Sequence, residues 1–571
     1  MKNSKKYKLV IILTMVMLVA PLAVISIGGG GSENSGVSLS DGASTSSTNF
    51  TGYTPISTPS DLAKIGTQDT YPLSGRYYLT NDIDFAGTDM NGGKNINMSA
   101  MVSGTSLRVT LMPSSGSVTS LYAWFGTSNT KSTNNTITFS GIPTGANTLS
   151  IGGTLSTGDN FAYSTPINTA ASSINTTFNS NGNFTPIGTG SASFTGIFNG
   201  NGYAITGLNT AVYNSSINDV YAGLFGYVAN SATISNLGVI GGSATALSSS
   251  LSGSYSGGII GSCFSFLSTV TVSNCYNTGS VTASSLLNEA IAGGIIGDSL
   301  SELTISNCYN IGSVTASTSL NGADAGGITG STFLQSSIQK CYNTGRVTAL
   351  SSLGDAEAGG IDGVTFLSSS IMNCYNTGSV TASSASSWAS VYAGGIIGNV
   401  DVSSLTVSNC YSTGSTATSY SSSQYTHAYA GGIAGNAGLS SLTISNCYYL
   451  MGHIYKNGAN MPDIICGGDK YTISNGGSQR SGPYSASQMA PTLQNAQNGS
   501  SIYYSGGGGW DFKNTWTISA DMNDGYPTLR AASDPNNGFD LGPYVLALII
   551  IAVIAVAVIA LVLILYKGGK I

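Results

Sequence analysis

Apolar and polar positions recur in step along the middle of the chain. Asn-Cys-Tyr occurs at Asn274, Asn307, Asn373, Asn409 and Asn446, and in one further copy Lys340 stands before Cys341-Tyr342. The cysteines Cys275, Cys308, Cys341, Cys374, Cys410 and Cys447 are separated by 33, 33, 33, 36 and 37 residues. A Gly-Gly-Ile-x-Gly segment keeps the same step, starting at Gly257, Gly293, Gly326, Gly359, Gly394 and Gly431. Each copy holds three strand candidates: one at Gly-Gly-Ile, one running into Ser-Asn-Cys-Tyr, one at Ser-Val-Thr-Ala. Helical periodicity is absent outside the two terminal apolar runs. Short strands punctuated by Gly and Asn predict one coil of a parallel β-helix per copy, with coils about 4.8 Å apart. Roughly ten coils give a rod about 50 Å long by that spacing.

The copies also separate inside from outside. Ile259, Ile295, Ile328, Ile361, Ile396 and Ile433 fill one slot. The next slot holds Ile260, Ile296, Thr329, Asp362, Ile397 and Ala434. Because it accepts Asp, it is expected to face water, and the preceding Ile the core. On this reading Thr329→Asp is tolerated. Lys340 occupies the Asn slot before Cys, so that slot is expected to be exposed or at a bend, which favours a corner with Cys341 turned in and Tyr342 out.

Around the repeats the pattern changes. Residues 1–30 carry Lys2, Lys5, Lys6 and Lys8 before an apolar run at 9–27, followed by small residues, and read as a signal peptide. An uncleaved anchor is the alternative. Residues 31–50 form a Gly/Ser/Thr/Asn-rich lead-in. Residues 51–89 are the N-terminal part of the β-helix. Residues 90–182 are an inserted β-rich domain of short antiparallel strands. Repeats fill 183–450, and 451–530 are C-terminal coils and a cap. A linker at 531–543 leads to an uncharged apolar run at 544–566, long enough to span a bilayer as a helix. Lys567 and Lys570 follow it, so the tail at 567–571 is expected in the cytoplasm and the body outside. The fold class is therefore all-β, a parallel β-helix with an inserted β-rich domain, a signal peptide and one C-terminal transmembrane helix. The localisation expected is the cell membrane, single-pass, with the body extracellular.

Composition narrows the function. Charged residues make up 7% of the chain and Gly contributes 76 positions, against about 25% charged in an ordinary soluble domain. A net charge of −6 leaves no basic footprint for nucleic acid. Two histidines, His427 and His453, and no His-Glu-x-x-His exclude the zinc-protease pattern. No Gly-x-Ser-x-Gly elbow has plausible partners, and no phosphate loop is present. No cofactor is expected, and neither a catalytic nor a metal residue is assigned. Asp82, Asp84 and Asp89 cluster, as do Asp521 and Asp524; they suit calcium, paired carboxylates or turn formation. The Cys column reads as buried thiols, with disulfides as the alternative; Cys263 and Cys466 lie outside it. The Tyr column (Tyr276, Tyr309, Tyr342, Tyr375, Tyr411, Tyr448) reads as a packed ladder or a sugar platform. Asn-x-Ser/Thr sequons at Asn49, Asn97, Asn134, Asn175, Asn183, Asn214 and Asn498 permit glycosylation.

The repeats resemble the GLUG-motif family of bacterial and archaeal surface proteins. The matching pieces are Gly-Gly-Ile-x-Gly, Ser-Asn-Cys-Tyr-Asn-Thr-Gly-Ser-Val and Tyr221-Ala222-Gly223-Leu224-Phe225-Gly226. Tyr78-Leu79-Thr80-Asn81-Asp82-Ile83-Asp84 and the closing Asn523-Asp524-Gly525-Tyr526-Pro527 are similar too. The resemblance covers about 55–89 and 184–530. It implies a parallel β-helix with an adhesin-like surface role; the insertion at 90–182 departs from it. Some relatives carry a metallopeptidase domain, whose motif is missing here.

The expected function is thus a cell-surface adhesin-like repeat protein that binds glycans or proteins of other cells, and not an enzyme. A polysaccharide-degrading β-helix and a passive stalk are the alternatives. The variable segment after Ser-Val-Thr-Ala becomes aromatic in the last two copies, with Trp388, Tyr392, Tyr420, Tyr425, His427 and Tyr429. These are the candidate binding residues, expected on loops stacked along one edge, with mutual packing as the alternative.

Overall fold

The computed structural model describes residues within 50–530, apart from short internal stretches such as 421–426, 474–481 and 504–509. The expected signal peptide, lead-in, linker, membrane span and tail lie outside the described residues. Among the described residues no helix is long and apolar enough to cross a membrane.

The chain winds into a parallel β-solenoid. One coil shows the plan: Ala323–Gly326, Thr329–Thr332, Ser336–Gln339, Tyr342–Asn343 and Val347–Ser351 follow one another as strands. Each pairs in parallel with its counterpart one coil on, for example Ala323 with Ala356 and Val347 with Val380. There are thus five strands per coil, not three, on four walls. We call these the Gly wall (Ala323–Gly326), the Ile wall (Thr329–Thr332 and Ser336–Gln339), the Tyr wall (Tyr342–Asn343) and the Thr wall (Val347–Ser351). The Gly wall is 7 strands deep, the Thr wall 9 and the Tyr wall 10. The rod therefore has about seven complete turns with partial turns at its ends, shorter than the ten expected. Two short helices, Pro59–Lys64 and Ala486–Met489, lie outside the repeats.

The core has two lobes. Between the Ile and Tyr walls lie Ile259, Ile295, Ile328, Ile361 and the six column cysteines, fully buried. Between the Thr and Gly walls a thinner lobe is built from Val281, Ala283, Ala290, Ala292 and their counterparts. Alanine is needed there because the two walls approach closely. The turn between the Gly and Ile walls is tighter still: a Cβ on Gly326 would sit 1.7 Å from the Thr329 carbonyl oxygen. Only glycine fits that approach.

This turn overturns one expectation. The slot after the core Ile does not face water. Ile260, Ile296, Thr329, Asp362, Ile397 and Ala434 are each at most 1% exposed, and the apolar members belong to the same core as the preceding Ile. The ladder passes over the intervening glycine, pairing Thr329 with Asp362 and then Ser331 with Val364. Strict alternation fails there, so neighbouring residues both point inward. Asp362 is buried among hydroxyls: Thr329 Oγ1 donates to its Oδ1 at 2.8 Å and Thr332 Oγ1 to its Oδ2 at 3.0 Å. Thr329→Asp would set a second carboxyl against the first inside the core, so it is not a tolerated change.

Residues 95–179 form the inserted module. Asn95–Ser103, Ser106–Pro113, Thr136–Ser140 and Ser173–Asn179 make one antiparallel sheet. Val118–Phe125, Ser128–Ser132, Ala146–Leu155 and Asn160–Asn168 make another. They enclose a core including Leu107, Leu121, Ile151 and Phe161. The module lies along the Thr wall. Trp124 and Ala162 pack with Tyr213 and Leu247, Thr148 and Thr315 hydroxyls meet at 3.3 Å, and Ser317 Oγ donates to the Gly126 carbonyl.

Burial raises the Asp362 carboxyl to about 8, with the Thr329 and Thr332 hydroxyls offsetting part of the rise. An unfolded Asp titrates near 3.9. Between about pH 4 and 8 the folded chain therefore holds a proton that the unfolded chain has lost. Stability should fall as pH rises through that window, by up to about 1.4 kcal/mol per unit from this group. Urea unfolding from pH 5 to 8 should show the decline, flattened in Asp362→Asn. Equal slopes for the two proteins would contradict the buried placement.

Candidate functional site

Each coil turns from the Ile wall to the Tyr wall through one residue with positive φ. Asn236, Asn274, Asn307, Lys340, Asn373, Asn409 and Asn446 have φ between 51° and 55°. Asn adopts this region more readily than other residues with a Cβ. The corner breaks alternation, so the following Cys points in and the next Tyr out, as the Lys340 position suggested. Each column thiol donates to the carbonyl two residues before it, as Cys275 Sγ does to Ser273 at 3.1 Å and Cys374 Sγ to Met372 at 3.2 Å. All eight cysteines, Cys263 and Cys466 included, are free and buried. Burial pushes the thiols of Cys275, Cys308 and Cys341 well above their ordinary value.

Behind the Tyr column runs a second ladder. Asn277, Asn310, Asn343 and Asn376 are buried, and each Nδ2 from Asn277 to Asn343 donates to the next Asn Oδ1 at 2.8 to 2.9 Å. The same Nδ2 also donates to the carbonyl of the glycine two residues on. These bonds satisfy an amide that would otherwise be costly between the two apolar lobes.

The tyrosines form a packed ladder. Tyr276, Tyr309, Tyr342, Tyr375 and Tyr411 stack at 4.7 to 5.1 Å with ring planes within 6°. Their faces cover one another, so outward they present ring edges and hydroxyls. The C-terminal segment folds over the later rungs. Trp510 and Trp516 lie 6.0 and 6.1 Å from the Tyr411 ring, both tilted. Tyr411 donates to the Pro527 carbonyl at 2.6 Å, and Tyr448 to that of Ile502 at 2.7 Å. Trp516 Nε1 donates to Asn373 Oδ1.

The candidate aromatic residues occupy three places rather than one loop edge. Trp388 sits on the loop before Ser390–Gly394 and is 71% exposed. Tyr392 and Tyr429 lie on Gly-wall strands, paired in register and stacked at 5.9 Å. Tyr420 ends a Thr-wall strand, with the Lys456 ammonium 5.3 Å from its ring centre. His427 is exposed at the start of its strand. Tyr425 lies outside the described residues. Among the described residues the loops thus contribute one ring, Trp388, and strands place Tyr392, Tyr420, His427 and Tyr429.

A group that the sequence reading missed lines the angle between the Gly and Ile walls. Tyr255, Ile291, Asp324, Glu357, Tyr392 and Tyr429 form one outward column. Ser262, Asp298, Ser331, Val364, Asn399 and Asn436 form the facing one. The angle is re-entrant: Asn399 Nδ2 donates to Glu357 Oε1 at 3.1 Å, and the Tyr221 and Tyr227 rings touch across it. Asp298, Asp324 and Glu357 are accordingly buried though they point out of the solenoid. Between residues 184 and 450 the lysines and arginines are Lys340 and Arg346 alone, so this face is acidic. Asp324 and Glu357 hold the slot that Tyr392 fills one coil later, which was the available signal.

No group of acids, His and Cys suited to a metal ion occurs among the described residues. Asp84 closes a local turn, its Oδ1 accepting from the Ala86 N–H, whereas Asp82 Oδ1 accepts from the Ala204 N–H on the next coil, both at 2.8 Å. Asp89 and Asp521 lie outside the described residues.

No family model matches the chain, and no curated protein matches it. Two solved structures do. One is a "putative immunoglobulin A1 protease" from Bacteroides ovatus, 17% identical, covering 84% of this chain and 93% of that one, with a TM-score of 0.39. The other is the pectate lyase Pel3 from Pectobacterium carotovorum, 11% identical, covering 56% of this chain and 89% of that one, with a TM-score of 0.11. Neither likeness is close enough to transfer a function.

The thiol column carries its own test. In 6 M guanidinium without reductant, all eight cysteines should alkylate, whereas the native chain should react slowly at every one. Mass spectrometry finding column cysteines paired between coils would overturn the thiol ladder.

Proposed function

We propose that this chain is a cell-surface, adhesin-like repeat protein of GLUG type that binds glycans or proteins and performs no catalysis. In this proposal the apolar segment at 544–566 anchors it, and the body projects outside the cell. The observation that carries the reading is Trp388. A large ring that exposed is costly to leave in water, and it sits on the loop that leads into the strand carrying Tyr392, whose ring stacks on Tyr429. Rings on rigid supports lose little entropy when they close on a partner. Tyr420 with Lys456 adds an aromatic and a cationic group at the last coils.

One observation favours a second reading. Asp298, Asp324 and Glu357 line one re-entrant face on neighbouring coils, and rows of acids serve polysaccharide-cleaving β-helices. Their burial counts against it, because a substrate would have to displace packed neighbours.

A glycan array probed with the exported fragment, residues 31–530, separates these readings. Binding of a defined glycan class should appear and fall at least tenfold in Trp388→Ser with Tyr420→Ser, at unchanged thermal stability. Binding that survives in the folded variant would remove this patch from the account. Release of shorter oligosaccharides by the wild-type fragment would favour the enzyme.

A further inference from the structure

Among the described residues, the tyrosine ladder is longer than the cap that covers it. Trp510, Trp516 and Tyr503 pack on Tyr375, Tyr411 and Tyr448, and those rungs are buried. Tyr276 and Tyr309 continue the same stack, at 4.8 Å and 2°, beyond the cap. Beside them two apolar side chains face outward: Ile311 is 49% exposed and Ile240 is 37% exposed. Ile311 follows Tyr309 by two residues on the same wall, where other coils carry Thr278, Thr344, Thr377 and Thr413. Beyond the described cap this slot holds the exposed Ile240 and Ile311, whereas its apolar residue under the cap, Leu450, packs against the cap's aromatic cluster.

We propose that the uncapped rungs, Tyr276 and Tyr309 with Ile240 and Ile311, dock an extended polypeptide segment of a partner protein that carries aromatic side chains. The chemistry of the covered rungs argues for that occupant. Stacked rings shield their own faces and offer positive edges, which attract the faces of rings set across them. The cap answers in that way at Tyr503, whose ring stands at 87° to that of Tyr448, while Trp510 and Trp516 lie tilted by 33° and 51° to Tyr411. It also answers the phenol hydroxyls with backbone carbonyls, at Ile502 and Pro527. A sugar needs an open ring face, which this ladder does not offer between rungs. An extended peptide supplies both the aromatic faces and the carbonyls. This surface lies on the Tyr wall, away from Trp388 and the Gly wall, and so does not depend on the function proposed above.

The experiment uses the exported fragment with its own cap in place. The probe is a fluorescein-labelled synthetic peptide with the sequence of residues 503–518, which contains Trp510, Phe512 and Trp516. Fluorescence anisotropy should show saturable binding. A peptide with all five large rings, Tyr503, Tyr504, Trp510, Phe512 and Trp516, changed to Ser should not bind. Ile311→Lys alters one exposed side chain and leaves the fold intact; it should weaken binding at least tenfold, as should Tyr309→Ser. No binding to the wild-type fragment would overturn the proposal. So would equal binding to Ile311→Lys, which would mean that the peptide merely replaces the cap. Displacement of the peptide by a neutral oligosaccharide would also overturn it, and reassign the face to a glycan.

Discussion

At seven successive corners the chain passes through a single residue with φ near 54°, six times Asn and once Lys340. That conformation decides where every neighbouring side chain goes. It reverses the alternation of the Ile wall, so Cys enters the core and Tyr leaves it. Repeated at one place per coil, it aligns the thiols, the buried Asn ladder and the tyrosines into straight columns. The columns then stabilise one another through bonds that run along the rod. These include Asn274 to Asn236 at 2.9 Å and Asn310 to Asn343 at 2.9 Å. The cap and the inserted module act as covers on walls that this regularity makes flat.

Much of this was legible because solenoid copies report on one another. The periodicity of Cys and Gly-Gly-Ile disclosed the parallel coils, and Lys340 in an Asn slot disclosed the corner. The Asp362 slot misled because glycine at the wall junction lets two consecutive residues face inward. A polar residue is then tolerated inside when Thr329 and Thr332 lie within bonding distance on the preceding coil. That compensation is a contact between copies, and inspection of one copy does not reveal it. The fourth wall was missed for a related reason. Ala-x-Ala-Gly has weak strand propensity, and its role depends on the Val/Ala lobe behind it.

The surface was less legible than the core. Inward slots keep one chemistry from coil to coil, whereas outward slots vary freely. Tyr392 and Tyr429 were assigned to loops because their segment varies in length, yet the variable part ends before their strands begin. The acidic re-entrant face escaped notice because Asp298 and Glu357 belong to different walls, which only the fold brings together. An exposed tryptophan with half-buried tyrosines near one end, an acidic face along one angle and an open tyrosine wall make the rod chemically different on each side. A scaffold of that kind presents several surfaces with little internal rearrangement.

The central claim is that a left-handed corner residue in each coil sets the stacking, and Lys340 allows the most direct test. Lys340→Asn and Lys340→Val remove the same ammonium group but differ in their ease of adopting positive φ. Native-state hydrogen exchange of the coil containing Cys341 and Tyr342 should show the Asn variant more protected than the Val variant, by about 1–2 kcal/mol in opening free energy. Equal protection in the two variants, or greater protection with Val, would contradict the account.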